Sequence, residues 1–214
     1  MGTYQSGPFG PFRGKVGYVV AVKWKGVNVV RNYPQKSTKV PAVALAQHRD
    51  KFAYTMKFVG QALGLIYIGH GHVSGRTNPE NIAFKSILAH AVKGIHPDYE
   101  LDTEQVKLST WSKMDAVMQP KVSLVADQMV QVSWKMDERA NRYTSPVDLA
   151  YILLYNPSKE ASVVSCGLVK REALSAELNV PDSFEGDVLH CWMFFASENG
   201  KFVSETSNVG ELKC

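Results

Sequence analysis

The feature that most constrains the fold is a series of short β-rich runs that occupies the chain from about Tyr99 onward. These runs are rich in β-branched and aromatic residues, and turn-forming residues separate them at intervals typical of a β-sandwich. The predicted strands are Val106–Thr110, Lys121–Val125, Met129–Met136, Asp148–Asn156, Ser162–Leu168, Ala173–Leu178, Val188–Ala196 and Phe202–Thr206. We therefore predict an immunoglobulin-like β-sandwich over residues 99–214.

Two local patterns support this sandwich. Alternation of apolar and polar residues directs Val130, Val132 and Trp134 to the same face of one strand. Asn199-Gly200 lies between two predicted strands and is a strong signal for a two-residue hairpin turn.

The N-terminal segment predicts a separate, small β unit. Gly and Pro are dense over residues 7–14, which favours turns and extended pieces over a helix. Two β-rich runs, residues 16–24 and 27–32, flank the Lys25-Gly26 turn and predict a hairpin.

Between these two β regions the apolar period becomes helical. The residues on the predicted apolar face of a first helix, from Ala42 to Leu63, are Leu45, Phe52, Met56, Val59 and Leu63. Residues 65–69 read as a short strand, and a second helix is predicted to begin at Asn78 and to run through Lys93. The predicted fold class is mainly β (α+β), with domains at residues 1–98 and 99–214.

Charge is distributed unevenly along the chain. Residues 1–49 contain eight Lys and Arg residues and no Asp or Glu, whereas from Glu104 onward 11 basic residues face 15 acidic ones. Aromatic residues are interleaved with the N-terminal basic residues, a combination found both at protein interfaces and at single-stranded nucleic-acid sites. The predicted partner-binding residues are Phe9, Phe12, Arg13, Lys15, Tyr18, Lys23, Trp24, Lys25 and Arg31.

Catalytic and metal-binding constellations are weak in this sequence. His70 and His72 form at most half of a metal site, since no further ligand follows at a suitable spacing. Cys166, His190 and Asp148 supply the residue types of a nucleophilic system, but all lie in or beside predicted strands without a Gly-rich elbow. We therefore predict no enzymatic activity, no cofactor and no metal.

Two further sets of residues receive structural interpretations. The alternating acids Asp98, Glu100, Asp102 and Glu104 have no Gly-bearing calcium loop around them and are interpreted as a charged edge strand. The cysteines lack CxxC spacing, and Cys166 and Cys191 are interpreted as buried free thiols.

An ordered set of short motifs runs along the whole chain. These motifs are Gly14-Lys15-Val16-Gly17, the Trp24-Lys25-Gly26 turn, Arg31, Gln47 with Arg49 and Phe52, Gly69 before Asn81, Pro97-Asp98-Tyr99 with Asp102, and Asn199-Gly200-Lys201 with Val203-Ser204. Their order and spacing resemble an uncharacterised bacterial family known only as a domain of unknown function. The sandwich half also resembles fibronectin type III domains through Trp134 and the tyrosines of a later strand. These resemblances imply a fold and carry no activity.

Three functional hypotheses remain open from the sequence. The first is a structural or assembly subunit, phage-, prophage- or filament-like, which self-associates or contacts assembly partners. The second is a nucleic-acid-associated protein that binds through the basic N-terminal unit, and the third is a monomeric carbohydrate- or surface-binding module. No apolar run approaches the ~18 residues of a membrane span. Without a signal-peptide pattern, we expect synthesis in the cytoplasm, followed under the first hypothesis by incorporation into a virion or an extracellular assembly.

Overall fold

A computed structural model describes residues 2–5, 12–35, 38, 42–73, 77–126, 128–137 and 139–214. Strands account for 41% and helices for 24% of the structure, so the fold is mainly β, as predicted. The chain divides into two compact units, Met1–Ala42 and Val43–Cys214, each of which is considered by itself. This division differs from the predicted boundary at residues 98/99, because the helices pack with the sandwich in one unit.

The N-terminal unit is a four-stranded antiparallel sheet. Its strands are β1 (Gly2–Thr3), β2 (Gly14–Val16), β3 (Val19–Trp24) and β4 (Val27–Asn32), in the order β1-β4-β3-β2. Trp24 pairs with Val27 around Lys25 and Gly26, whose φ angles are 47° and 84°. Two positive φ angles define a type I′ turn, which suits the right-handed twist of a hairpin and favours glycine at its second position. The predicted hairpin is therefore confirmed.

The second unit begins with helices. They are α1 (Val43–Gln61), α2 (Leu63–Gly69) and α3 (Pro79–Ser86), and one π-helical turn (Ile87–Ala91) continues α3. A short hairpin follows, formed by β5 (Val92–Ile95) and β6 (Asp98–Leu101). The strand predicted at residues 65–69 is wrong, because the apolar run there continues the helical period of α1 and buries Leu65, Ile66 and Gly69.

Seven strands form the sandwich of the second unit. They are β7 (Met118–Ala126), β8 (Met129–Lys135), β9 (Leu149–Asn156), β10 (Ala161–Lys170), β11 (Ser175–Asn179), β12 (Val188–Ala196) and β13 (Ser207–Lys213). One sheet has the order β10-β9-β12-β13 and the other has the order β11-β8-β7. All neighbouring strands are antiparallel. The predicted immunoglobulin-like sandwich is thus present, and β12 has the predicted bounds.

Two predicted strands are absent because their backbone groups bond elsewhere. In residues 106–110, the N–H groups of Leu108 and Ser109 both donate to the Thr206 hydroxyl at 2.9 Å. The segment 202–206 contributes a single bridge, between Val203 and Ala196, and the last paired strand begins only at Ser207. The chain does reverse around Asn199-Gly200, but the predicted two-residue hairpin turn is wrong, because the Ser197 N–H donates to the Phe202 carbonyl at 2.9 Å and four residues lie between them.

In the sheet β10-β9-β12-β13, the two central strands β9 and β12 are buried on both faces. Alternate residues of β9 point in opposite directions, so that Leu153 and Tyr155 enter a core shared with the helices while Ile152 and Leu154 enter the sandwich core. β12 divides its residues in the same way. A sheet covered on both faces needs near-continuous apolar strands, which is why β9 and β12 are apolar at almost every position. The second unit therefore has three layers.

The face of α1 that packs on the sheet overlaps only in part with the predicted one, since Val59 is buried as predicted whereas Phe58 was not among the predicted residues. Phe58 and Val59 are buried there, and Ala62 after the end of α1 is buried with them. By contrast, the predicted core residues Leu45 and Phe52 are 46% and 44% exposed. No helix of the described residues is long and apolar enough to cross a membrane.

Candidate partner-binding surface

Pairing within the N-terminal sheet places apolar and basic side chains on one face. Val22 pairs with Val29, Trp24 with Val27, and Val20 with Arg31, so all six share a face; Lys15 of β2 pairs with Val20 and joins them. We call this surface the apolar–basic face, and its members are Lys15, Val20, Val22, Trp24, Val27, Val29 and Arg31.

The centre of the apolar–basic face is open and apolar. Trp24 is 58% exposed, and Val22 and Val27 are 43% and 44% exposed. Together with Arg31 and the buried Val29, Val22 and Trp24 line a groove of about 270 Å³. Exposed tryptophan in a groove bordered by arginine is the composition that interface hot spots favour.

No carboxylate of the same unit neutralises the basic groups of this face, because residues 1–42 contain no Asp or Glu. Two lysines lie over aromatic rings instead. The ammonium of Lys15 is 4.0 Å from the Tyr33 ring centroid, and that of Lys25, in the hairpin turn, is 5.5 Å from the Trp24 ring centroid. Such contacts hold the long side chains against the sheet while leaving their positive charge available to a partner.

The opposite face of the sheet carries an aromatic pair, and part of this face is exposed, since Phe12 is 44% and Val16 is 57% exposed. The rings of Tyr4 and Phe12 lie 5.1 Å apart, and the Tyr4 hydroxyl donates to the Phe12 carbonyl at 2.7 Å. Ala21 is only 2% exposed on this face, and its small side chain leaves room for neighbouring groups. Lys23 pairs with Asn28 on the same side, away from the apolar–basic face.

The predicted partner-binding residues are therefore distributed over several positions. Lys15, Trp24 and Arg31 share the apolar–basic face, Lys25 occupies its hairpin turn, Arg13 directly precedes β2, Tyr18 is in the turn before β3, and Phe12 and Lys23 belong to the opposite face. Phe9 lies outside the described residues. Sequence reasoning missed Val22, Val27 and Val29, although the alternation of β3 and β4 carries the signal that places them beside Trp24.

The three residues considered as a nucleophilic system do not meet. His190 pairs with Tyr155 at one end of β9, and Asp148 precedes the other end. Seven residues of strand correspond to roughly 23 Å, far beyond hydrogen-bond reach. Cys166 is exposed on the edge strand β10 rather than buried as predicted, whereas Cys191 is buried and its thiol pKa is raised by burial.

His70 and His72, considered above as half of a metal site, have different surroundings. His70 is 2% exposed, its Nδ1 lies 2.7 Å from the Thr110 hydroxyl, and burial lowers its pKa to about 4. Burial lowers the pKa of His72 as well. The buried atoms His70 Nε2 and His72 Nδ1 have no hydrogen-bond partner among the described residues. In that part of the chain, no group of three or more His, Cys, Asp or Glu side chains is arranged to hold a metal ion.

Buried charge in the sandwich is paired and structural. Arg171 Nε lies 3.8 Å from an Asp148 carboxylate oxygen, and both side chains are almost fully buried. The guanidinium packs 3.9 Å from the Phe195 ring centroid, and the Arg171 carbonyl accepts from Trp134 Nε1 at 2.8 Å. Burial raises the pKa of Asp148 despite its hydrogen bond from Ser145 and the nearby Arg171 charge. This pair joins the loops at one end of the sandwich.

The four alternating acidic residues lie on different elements and make separate local contacts. Asp98 and Glu100 lie on β6. Asp102 forms an ion pair with Lys93 and accepts from the Glu104 N–H at 3.2 Å, while Glu104 accepts from Asn208 at 2.7 Å. Only the first two residues thus belong to the predicted charged edge strand.

Comparison with known proteins adds a family and no activity. No curated protein matches the chain in a sequence search. A family model described as "Family of unknown function (DUF6266)" matches residues 11–210, which include most of the N-terminal sheet and nearly all of the second unit. The apolar–basic face and all but the last four residues of the three-layered unit lie within this match, and the chain belongs to the DUF6266 family.

Proposed function

We propose that this protein is a non-enzymatic assembly subunit that binds a second copy of itself through the apolar–basic face. The observation that carries the proposal is the open groove around Trp24, bordered by basic side chains on a unit without acidic residues. A phage-, prophage- or filament-like particle is the kind of assembly that the sequence analysis favours.

The composition of the apolar–basic face supports protein binding. Trp24 and Arg31 are the residue types that most often dominate binding energy when they are desolvated at the centre of an interface. The exposed Val22 and Val27 extend the apolar area around the groove. These apolar side chains are in contact with water, so a partner that covers them removes apolar surface from water and lowers the free energy.

Charge complementarity supports a second copy as the partner. Seven of the 24 Lys and Arg residues and none of the 20 Asp and Glu residues lie in residues 1–42. The first unit therefore carries a net charge of +7, and the second unit, with 17 basic and 20 acidic residues, carries −3. Opposite charges attract the first unit of one copy to the second unit of another, a head-to-tail arrangement that builds rings or filaments.

The test compares two exposed residues on opposite faces of the same sheet. Trp24→Ser removes the centre of the apolar–basic face, whereas the control Val16→Ser alters a residue that is 57% exposed and points to the other side. Light scattering after size-exclusion chromatography and sedimentation velocity measure the oligomeric state.

We expect the wild-type chain and the Val16→Ser variant to self-associate in the micromolar range. Trp24→Ser should weaken this association by about 30-fold or more, which corresponds to a hot-spot residue of about 2 kcal/mol. A wild-type chain that is monomeric at tens of micromolar, or a Trp24→Ser variant that assembles unchanged, would contradict the proposal.

Exposed aromatic rings beside basic groups favour single-stranded nucleic acid as a second candidate partner. Tyr18 is 88% exposed, and Tyr33 is 48% exposed beneath the Lys15 ammonium. Bases stack on such rings while lysine and arginine neutralise phosphates. Fluorescence anisotropy with single-stranded oligonucleotides at two salt concentrations tests this candidate, and steep salt dependence together with loss of binding in Tyr33→Ser would support it.

A further inference from the structure

A second candidate site lies in the unit Val43–Cys214, separate from the apolar–basic face. It is a pocket of about 370 Å³, and the residues that line it are Tyr54, Tyr99, Glu100, Leu101, Tyr155, Pro157 and His190. They come from α1, from β6, from β9 and the turn after it, and from β12. This volume is at the lower end of the range of small-molecule sites.

Three tyrosine rings form the aromatic part of the pocket. The ring centroids of Tyr54 and Tyr99 lie 6.2 Å apart, and the Tyr99 hydroxyl donates to the Gln47 carbonyl at 3.0 Å. Tyr155 is only 4% exposed and packs edge-to-face with Phe58 at 5.0 Å. These contacts fix the rings before a ligand arrives, which reduces the entropy lost on binding.

The pocket lining carries one acidic side chain and no basic one. That side chain is Glu100; its cross-strand neighbour Lys93 forms its ion pair with Asp102, and none of the ion pairs among the described residues includes Glu100. The pKa of Tyr54 is raised by burial and by the carboxylates of Glu100 and Glu160, and that of Tyr155 is raised to about 12 by burial, Tyr54 and Glu160. Lys57 neutralises Glu160 in part, since its ammonium lies 2.9 Å from both carboxylate oxygens.

The one imidazole in the lining does not reverse this charge. Burial lowers the pKa of His190, and the Glu211 carboxylate, 3.7 Å from Nδ1, opposes the effect only in part. The lowered pKa favours the neutral form of His190, so its imidazole does not offset the Glu100 carboxylate. The lining as a whole contains one acidic side chain, Glu100, and no Lys or Arg.

We propose that this pocket binds a small organic cation, an alkylated ammonium group of the size of choline. Aromatic faces attract such a cation through their quadrupoles, and the Glu100 carboxylate adds a direct attraction. The alkyl groups of the ligand would contact Leu101 and Pro157, which supply the apolar part of the wall. A neutral sugar would use the rings but would gain nothing from the negative charge.

Isothermal titration calorimetry with the full-length chain tests the ligand class. Choline is compared with its neutral carbon isostere 3,3-dimethylbutan-1-ol, which has nearly the same shape and no charge. We expect choline to bind at least about tenfold more tightly, since cation–π and carboxylate attractions are absent for the isostere. Trimethyllysine amide, titrated in parallel, distinguishes a free cation from a modified side chain. Equal binding of choline and the isostere, or no binding of either cation, would overturn the proposal.

Matched variants then assign the binding to this pocket. Glu100→Gln and Tyr54→Leu should each weaken choline binding several-fold, whereas Tyr54→Phe keeps the ring and should retain it. The controls are Glu177→Gln, an exposed carboxylate on β11, and Tyr67→Leu, a 47% exposed tyrosine on α2. Circular dichroism confirms that each variant is folded. If Glu100→Gln and Glu177→Gln bind choline with equal affinity, the pocket is not the site. Self-association is tested separately with Trp24→Ser, which changes a side chain of the first unit, so loss of choline binding and loss of assembly can be told apart.

Discussion

Replacement of Phe58 by alanine removes the aromatic side chain at the centre of the contact between α1 and the sheet β10-β9-β12-β13. Phe58 is 2% exposed, and its ring lies edge-to-face against Tyr155 at 5.0 Å and Trp192 at 5.8 Å. Truncation of a buried phenylalanine costs about 3–5 kcal/mol, because apolar contact is lost and a cavity remains. A unit of this size loses about 2–4 °C per kcal/mol, so the melting temperature should fall by roughly 6–20 °C.

Phe52→Ala is the matched control on the same helix. Phe52 is 44% exposed, and its ring contacts mainly that of Phe84, with the centroids 4.4 Å apart. Loss of one half-exposed aromatic pair should cost about 0.5–1.5 kcal/mol. Both variants start from the same residue type, so the difference between them measures burial against the sheet.

Urea unfolding followed by circular dichroism gives both free energies from the shift in midpoint at a common slope. The order Phe58→Ala, then Phe52→Ala, then wild type should hold from least to most stable. A loss of about 1 kcal/mol or less for Phe58→Ala, or equal losses in the two variants, would refute the conclusion that the helical layer stabilises the sandwich.

Three further predictions follow from particular contacts. A fragment of residues 99–214 lacks the helices, so the helix-facing side of the sheet β10-β9-β12-β13 becomes exposed. The fragment should therefore bind a hydrophobic dye and aggregate. A soluble fragment that does not bind the dye would refute the three-layered arrangement of the second unit. Burial lowers the pKa of His70 to about 4, so the unfolded chain takes up a proton there first, and stability should fall as pH drops from 6.5 to about 4. His70→Leu should flatten this dependence in denaturation curves relative to the exposed control His48→Leu, and equal slopes would contradict it. Gly60→Ala, in open space within α1, should add about 0.5–1 kcal/mol of stability. Gly69→Ala should destabilise the protein strongly, because the added Cβ would clash with the backbone of Leu108 and Ser109. Thermal melts of the two glycine variants test whether one raises and the other lowers the melting temperature.

Much of the N-terminal unit could be predicted from local sequence, because its determinants are short-range. The Lys25-Gly26 turn requires positive φ angles that glycine adopts easily, and the β-branched runs beside it have the period of strands. By contrast, the pairing register of the strands decided which of the predicted residues share a face of the sheet. Lys23 and Arg31 are similar in sequence terms, yet the register of β3 and β4 places them on opposite sides.

Several sandwich strands were also determined locally, since β-branched and aromatic runs bounded by turns have few alternatives. The strand β12 has its predicted bounds, whereas the last strand, β13, was not predicted. Tertiary structure alone decided what covers the sheet. The run from Leu63 to Gly69 suits a short strand or a buried helix equally, and it becomes helical where Gly69 closely approaches the Leu108 carbonyl. Residues 106–110 have strand-like composition, but the Thr206 hydroxyl takes their N–H groups. Burial and hydrogen bonding depend on partners distant in sequence, so periodicity could locate the elements without deciding which surfaces they cover.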